Sequence, residues 1–180
     1  MTSLPKPSDE QRAIIRSLSS GNVVVNAVAG SGKTTASLHV AVAFPSKNIL
    51  LLTYNRKLKE ETRSKIADMH IKNLEAHSFH AFCVRYFDRT CFTDEPIRKL
   101  LKAKTNPLQE FNYDLILIDE SQDLTPLLFQ LVIYIYFHNK SSEPAKLMIL
   151  GDRKQSIYQF NNADERFISM APELFQVNEY

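Results

Sequence analysis

The chain has 180 residues, 44% hydrophobic and 23% charged, an ordinary balance for one globular core and too little bias for disorder. Its formal charge of +2 supplies no basic excess that would by itself mark a duplex-binding protein. No apolar run approaches the roughly 18 residues of a membrane span. The N-terminus lacks a signal-peptide pattern, and Cys83 and Cys91 make neither a disulfide framework nor a zinc set. A protein inside the cell, without a membrane partner, is expected.

In chain order, Asn22–Ala27 (NVVVNA) is a β-branched run behind the Gly21 turn signal and predicts a buried strand. Gly32 to Phe44 has helical spacing and stops before Pro45. Asn48–Thr53 (NILLLT) predicts the next strand, and Arg56 to Met69 a charged amphipathic helix. Asn73–Ala76 is a short strand, and Ser78–Phe87 a helix whose Phe79, Phe82, Tyr86 and Phe87 recur at core spacing. Arg89 to Asn112 is irregular, with Pro96, Pro107 and the basic run RKLLKAK, which reads as a solvated helix face. Leu115–Asp119 (LILID) is a strand, Leu124–His138 an apolar helix with Pro126 in its first turn, and Lys146–Leu150 a strand. A helix is expected from Ala163 to Met170. Strands alternating with helices predict an α/β fold: a mostly parallel sheet covered on both faces.

Two motifs carry chemistry. Ala27-Val28-Ala29-Gly30-Ser31-Gly32-Lys33-Thr34 lies between a predicted strand and a predicted helix, the context a P-loop requires. Backbone N–H groups there would surround phosphate oxygens, Lys33 would reach the β- and γ-phosphates, and Thr34 would ligate Mg²⁺. Three of only four glycines, Gly30, Gly32 and Gly151, fall inside motifs, which points to backbone requirements. Downstream, Asp119-Glu120 closes the strand LILID, where Asp119 would hold Mg²⁺ and Glu120 would deprotonate the attacking water. These residues predict an NTPase, and the lack of an Asn-Lys-x-Asp guanine signature leans toward ATP.

Further segments resemble, in order, the motifs of the UvrD/Rep/PcrA helicases of superfamily 1A. Pro7-Ser8-Asp9-Glu10-Gln11 resembles the Q motif, in which Gln11 would read adenine by paired hydrogen bonds; taken alone, Ser8 and Gln11 equally read as a capping pair opening a helix. Asn26 through Thr35 is similar to the family's Walker A, whose nucleotide contacts would fall on Ala29, Gly30, Ser31, Gly32, Lys33, Thr34 and Thr35. Leu52-Thr53-Tyr54-Asn55-Arg56-Lys57 looks like motif Ia and Ala76-His77-Ser78-Phe79-His80 like motif Ib. Asp119-Glu120-Ser121-Gln122-Asp123 resembles motif II, its Gln-Asp pair coupling the nucleotide to neighbouring motifs. Gly151 to Tyr158 resembles motif III, which makes Gln155 the expected γ-phosphate sensor.

The resemblance implies a RecA-like domain that binds ATP and Mg²⁺, coupled to single-stranded DNA with 3′-to-5′ polarity. Tyr54, Asn55, His77, Ser78, Tyr158 and Phe160 are the expected DNA contacts, Tyr54 and Phe160 as stacking rings. After Tyr158 the chain reads Gln-Phe-Asn-Asn-Ala, where the family has arginines and a glycine. Residues 1–180 are expected to be one ATP-binding domain in which 89–112 is a reduced insertion, reminiscent of the F-box DNA helicase branch. Motifs IV to VI are not found, so the second RecA-like domain implied as a partner lies outside these residues, and weak turnover is expected. A nucleus, or the cytoplasm in a bacterium, is the expected location. The rival expectation is a truncated domain acting as a non-catalytic nucleotide-binding module.

Overall fold

The computed structural model describes residues 4–28, 32–152 and 177–179. Six strands form one sheet in the order β3-β2-β4-β5-β1-β6, and every pairing is parallel. The strands are β1 (Asn22–Asn26), β2 (Ile49–Thr53), β3 (Leu74–Ser78), β4 (Leu115–Asp119), β5 (Lys146–Gly151) and β6 (Val177–Glu179). The helices are α1 (Asp9–Ser20), α2 (Lys33–Ala43), α3 (Arg56–Asp68), α4 (Phe79–Tyr86), α5 (Asp94–Ala103) and α6 (Pro126–His138).

The two-residue period of a strand divides the apolar runs between two cores. Val23, Val25, Leu115, Leu117, Met148 and Leu150 pack with α1 and α2 on one face. Val24, Ile116, Ile118, Leu147 and Ile149 pack with α4, α5 and α6 on the other. This division follows from handedness. The chain leaves β1 and β2 in one direction along the sheet and β3 and β4 in the other, so right-handed crossovers put the intervening helices on opposite faces. Phe82 centres the second core, its ring against those of His77, Tyr86, Phe87, Phe111 and Tyr113.

The α/β reading holds, with α5 and the edge strand β6 added. The region expected to be irregular contains α5, which starts with Asp94, Glu95 and Pro96 in its first turn and buries Ile97 and Leu100. Its basic residues are exposed, as expected for a solvated face. The amphipathic spacing was present in the sequence, but Pro96 within the first turn and Pro107 beyond the end masked it. Edge strand β3 is blunted where Arg63 Nε donates to the Ala76 carbonyl at 2.7 Å. The helix expected at 163–170 lies outside the described residues. Among the described residues, no helix is long and apolar enough to cross a membrane.

Candidate nucleotide site

Ligands of open α/β sheets bind beyond the carboxyl ends of the strands. At that edge β5 lies between β1 and β4, so the loop after β1 and the acidic pair after β4 flank the end of one strand. Ala27 N donates to the Gly151 carbonyl at 2.8 Å, which ties the start of the loop to the end of β5. Residues 29–31 lie outside the described residues. Gly32 has φ +86 and ψ 30, a left-handed conformation immediately before α2. A Cβ there would meet nothing closer than 3.8 Å, so the backbone conformation, not space, calls for glycine.

Helix α2 then opens with Lys33 and has no acidic residue in its first turn. A cation at the positive end of a helix dipole is unfavourable unless an anion accompanies it. Here that anion is Glu120, with Lys33 Nζ 3.1 Å from Glu120 Oε2 and both side chains largely buried. The phosphate-loop lysine and the acidic pair therefore meet in one crevice. Thr34 and Thr35 follow Lys33 on the first turn of α2, half-buried.

Asp119 ends β4 with only 1% of its surface exposed. Its Oδ1 accepts from Glu120 N at 2.9 Å. Glu120 has φ +53, a left-handed conformation unusual for a side-chain-bearing residue, and starts a 3₁₀ turn over Ser121–Asp123. Gln122 bridges two elements: its Nε2 donates to Glu120 Oε2, and its Oε1 accepts from Asp152 N at 3.0 Å. Ser121 Oγ is buried without a hydrogen-bond partner, a polar orphan beside the acidic pair that nothing in the sequence marked.

Burial, reinforced by the neighbouring Glu120 charge, pushes the Asp119 carboxyl up to about 6 from its ordinary 3.8. Because the folded-state value is the higher one, the native protein holds a proton that the unfolded chain releases between about pH 4 and 6. Stability therefore falls as pH rises through that window, and the penalty, on the order of 3 kcal/mol as a ceiling, persists above it. Asp119→Asn is expected to stabilise the divalent-free protein at pH 7.5 by about 2 kcal/mol and to flatten the pH 4–6 slope. Urea unfolding across pH measures both. A variant less stable than the parent at pH 7.5 would contradict the buried-charge account.

Beside the phosphate loop, a cavity of about 490 Å³ opens between α1 and the ends of β1 and α2. Gln11, Ile14, Val25, Ala27, Lys33 and Leu150 are among its lining residues. Gln11 also completes a capping box: its N donates to Ser8 Oγ at 3.2 Å, and its Oε1 accepts from Ser8 N at 3.0 Å. Both readings of the Pro7–Gln11 segment thus fall on the same side chain.

The expected DNA contacts are placed unequally. Tyr54 stands just beyond β2 and is 53% exposed. Asn55 is exposed, but its Oδ1 caps α3 by accepting from Lys57 N and Leu58 N. Ser78 Oγ caps α4 by accepting from Ala81 N. His77 is 3% exposed, packed edge-on to Phe82, with Nδ1 3.3 Å from an Arg63 nitrogen and Nε2 3.5 Å from Glu75 Oε2. In this placement His77 is a core residue that cannot touch a strand outside. A histidine in an alternating strand gives no sequence signal of which way it points. Gln155, Tyr158 and Phe160 lie outside the described residues.

The fold is similar to that in the crystal structure of the Pyrococcus furiosus Hef helicase domain, with a TM-score of 0.60 at 11% identity. The match covers 97% of this chain and 38% of that one, so the likeness is one of fold, and this chain spans well under half of the other's length. Comparison with curated proteins returns no match. The strand-loop-helix turn at Lys33, the parallel sheet and the paired acids together form a helicase-like P-loop fold. Residues 10–161 match the AAA_19 family, described as an AAA domain, and the chain belongs to that family.

Proposed function

We propose that residues 1–180 form the ATP-binding domain of an ATP-dependent DNA helicase or translocase, with 89–112 as a reduced insertion. The observation that carries this reading is the 3.1 Å contact between Lys33 and Glu120, with the buried Asp119 carboxylate adjacent to Glu120. The donor set fits a magnesium triphosphate. A lysine at a helix N-terminus suits phosphate, and two adjacent carboxylates, one of them buried, suit a divalent cation. Thr34 and Asp119 would hold Mg²⁺, which when bound neutralises charge on the phosphate oxygens.

In this scheme Lys33 leaves Glu120 for the β- and γ-phosphates, and the freed Glu120 carboxylate takes a proton from the attacking water. Gln122 holds that carboxylate in place and connects it to Asp152, the second residue of the motif that contains Gln155. Tyr54, Asn55 and Ser78 sit at the same carboxyl-terminal edge and are the proposed contacts to single-stranded DNA. Tyr54 would supply a stacking face worth roughly 1–3 kcal/mol per base. A second RecA-like domain is the proposed partner that completes the motor, and 3′-to-5′ is the proposed polarity.

The test is ATP hydrolysis by this chain with and without single-stranded DNA, with Lys33→Ala as control. Turnover that rises with DNA and vanishes in the variant supports a motor domain. Nucleotide binding without turnover under either condition would replace that reading with a non-catalytic nucleotide-binding module. Preference for matched RNA over DNA would redirect the strand assignment, since the 2′-hydroxyl is what separates the two strands.

A further inference from the structure

The amino ends of the strands, opposite the edge that holds the phosphate loop, carry a second cavity. It measures about 260 Å³ and opens among the residues that lead into β2, β3 and β4, with Tyr86 of α4 beside them. Glu75, Tyr86 and Tyr113 line it. Both tyrosines donate to Glu75 Oε2, and their own hydroxyl oxygens stand 3.0 Å apart. Three oxygens therefore meet along three edges with two protons between them. On the edge that goes without, two lone pairs face each other, and a further donor would relieve them. Among the described residues none supplies it. Arg85 pairs with Glu75 Oε1 at 3.3 Å and covers the Tyr86 ring, its Cζ 5.1 Å from the centroid. His77 Nε2 stops 3.5 Å from Glu75 Oε2. Both serve the carboxylate rather than the phenol oxygens.

The rest of the wall adds acceptors. Asn73 spends its Nδ2 on the carbonyls of Ala41, Phe44 and Lys47, which leaves Oδ1 as its open end. Glu110 is an exposed carboxylate with no ion pair among the described residues. Lys72, the cation of the wall, is exposed and stands on a flexible stem. We propose that this cavity binds a primary ammonium group, carried by a small aliphatic amine or by a lysine side chain. An ammonium brings three N–H donors on a compact charge, where the wall offers surplus lone pairs and two carboxylates. A guanidinium is the poorer fit, because Arg85 already holds that place on Glu75. A metal ion is poorer still, since among the described residues no three carboxylates, imidazoles or thiols gather to hold one. The volume lies below the roughly 300–1,000 Å³ of drug-sized sites and suits a chain of a few carbons. The site stands at the opposite edge from the nucleotide crevice and does not depend on it.

The probe is 1,4-diaminobutane, titrated into the isotope-labelled chain and followed by backbone amide chemical shifts. The amides of Glu75, Tyr86 and Tyr113 are expected to move and to saturate. Tetramethylammonium at the same ionic strength carries the charge without an N–H donor and is expected to leave them in place. Tyr113→Phe removes one phenol oxygen and is expected to weaken binding about tenfold. That ring is buried, so Glu110→Gln on the exposed rim is a second variant, expected to weaken binding about threefold. Circular dichroism checks the folding of both. N-acetyl-lysinamide presents the same ammonium as a protein side chain does. Tighter binding of the diamine assigns the group to a free amine, and tighter binding of the blocked lysine assigns it to a partner protein. Shifts that never saturate, equal shifts with tetramethylammonium, or parent-like affinity in either folded variant would each overturn the inference.

Discussion

Glu120→Gln is expected to lower single-turnover ATP hydrolysis by about 10²–10⁴-fold while nucleotide affinity stays equal or improves. The carboxylate lies against the lysine of the proposed phosphate site and is held by two groups, Lys33 Nζ and Gln122 Nε2. Glutamine keeps an oxygen to accept from Gln122 but cannot take a proton and, being neutral, holds the lysine only weakly. Loss of competition is why affinity should not fall: in the parent, an incoming triphosphate must displace Glu120 from Lys33. Hydrolysis measured with protein in excess over radiolabelled ATP separates this step from release of product. A variant within tenfold of the parent would remove Glu120 from the role of base.

Lys33→Ala acts on the other partner and should act on binding. A lysine bridging two phosphates contributes charge-assisted hydrogen bonds worth about 1.5–3 kcal/mol each. Affinity should therefore fall by about 10²–10³-fold. The variant also leaves the Glu120 carboxylate facing the incoming phosphates without its countercharge, which adds repulsion to lost attraction. Calorimetric titration with ATP and ADP measures the change, and affinity like the parent's would contradict the phosphate cradle. Together the two variants separate the roles: one side chain for holding, the other for chemistry.

The sheet, and the meeting of Lys33 with the acid after β4, were legible because the local signals agreed with the tertiary outcome. Residues 115–118 and 147–150 are buried on both faces of the sheet, so each residue there had to be apolar whichever way it pointed. Gly32 and Lys33 were legible because the left-handed turn and the half-buried helix start admit few residue types. Helix α5 was hidden since its Pro96 reads as a breaker until it is recognised as a first-turn residue. His77 misled for a different reason. Its neighbours matched a motif, but its burial is set by Phe82, Arg63 and Glu75, three residues that sequence order does not bring together. Gln11 was readable in two ways, and the structure gives it a capping bond while leaving it at the cavity wall.

The carboxyl end of β5 is gripped from both sides. The Gly151 carbonyl receives the N–H at the start of the phosphate loop, and the N–H of the next residue, Asp152, is held by the glutamine that also grips the acidic pair. A single peptide group, with its carbonyl from Gly151 and its N–H from Asp152, is thus fastened to both banks of the crevice, like a plank nailed at each end. A shift of either bank by an ångström would turn that peptide plane, and residue 152 is the fulcrum from which the tilt would pass into the chain beyond.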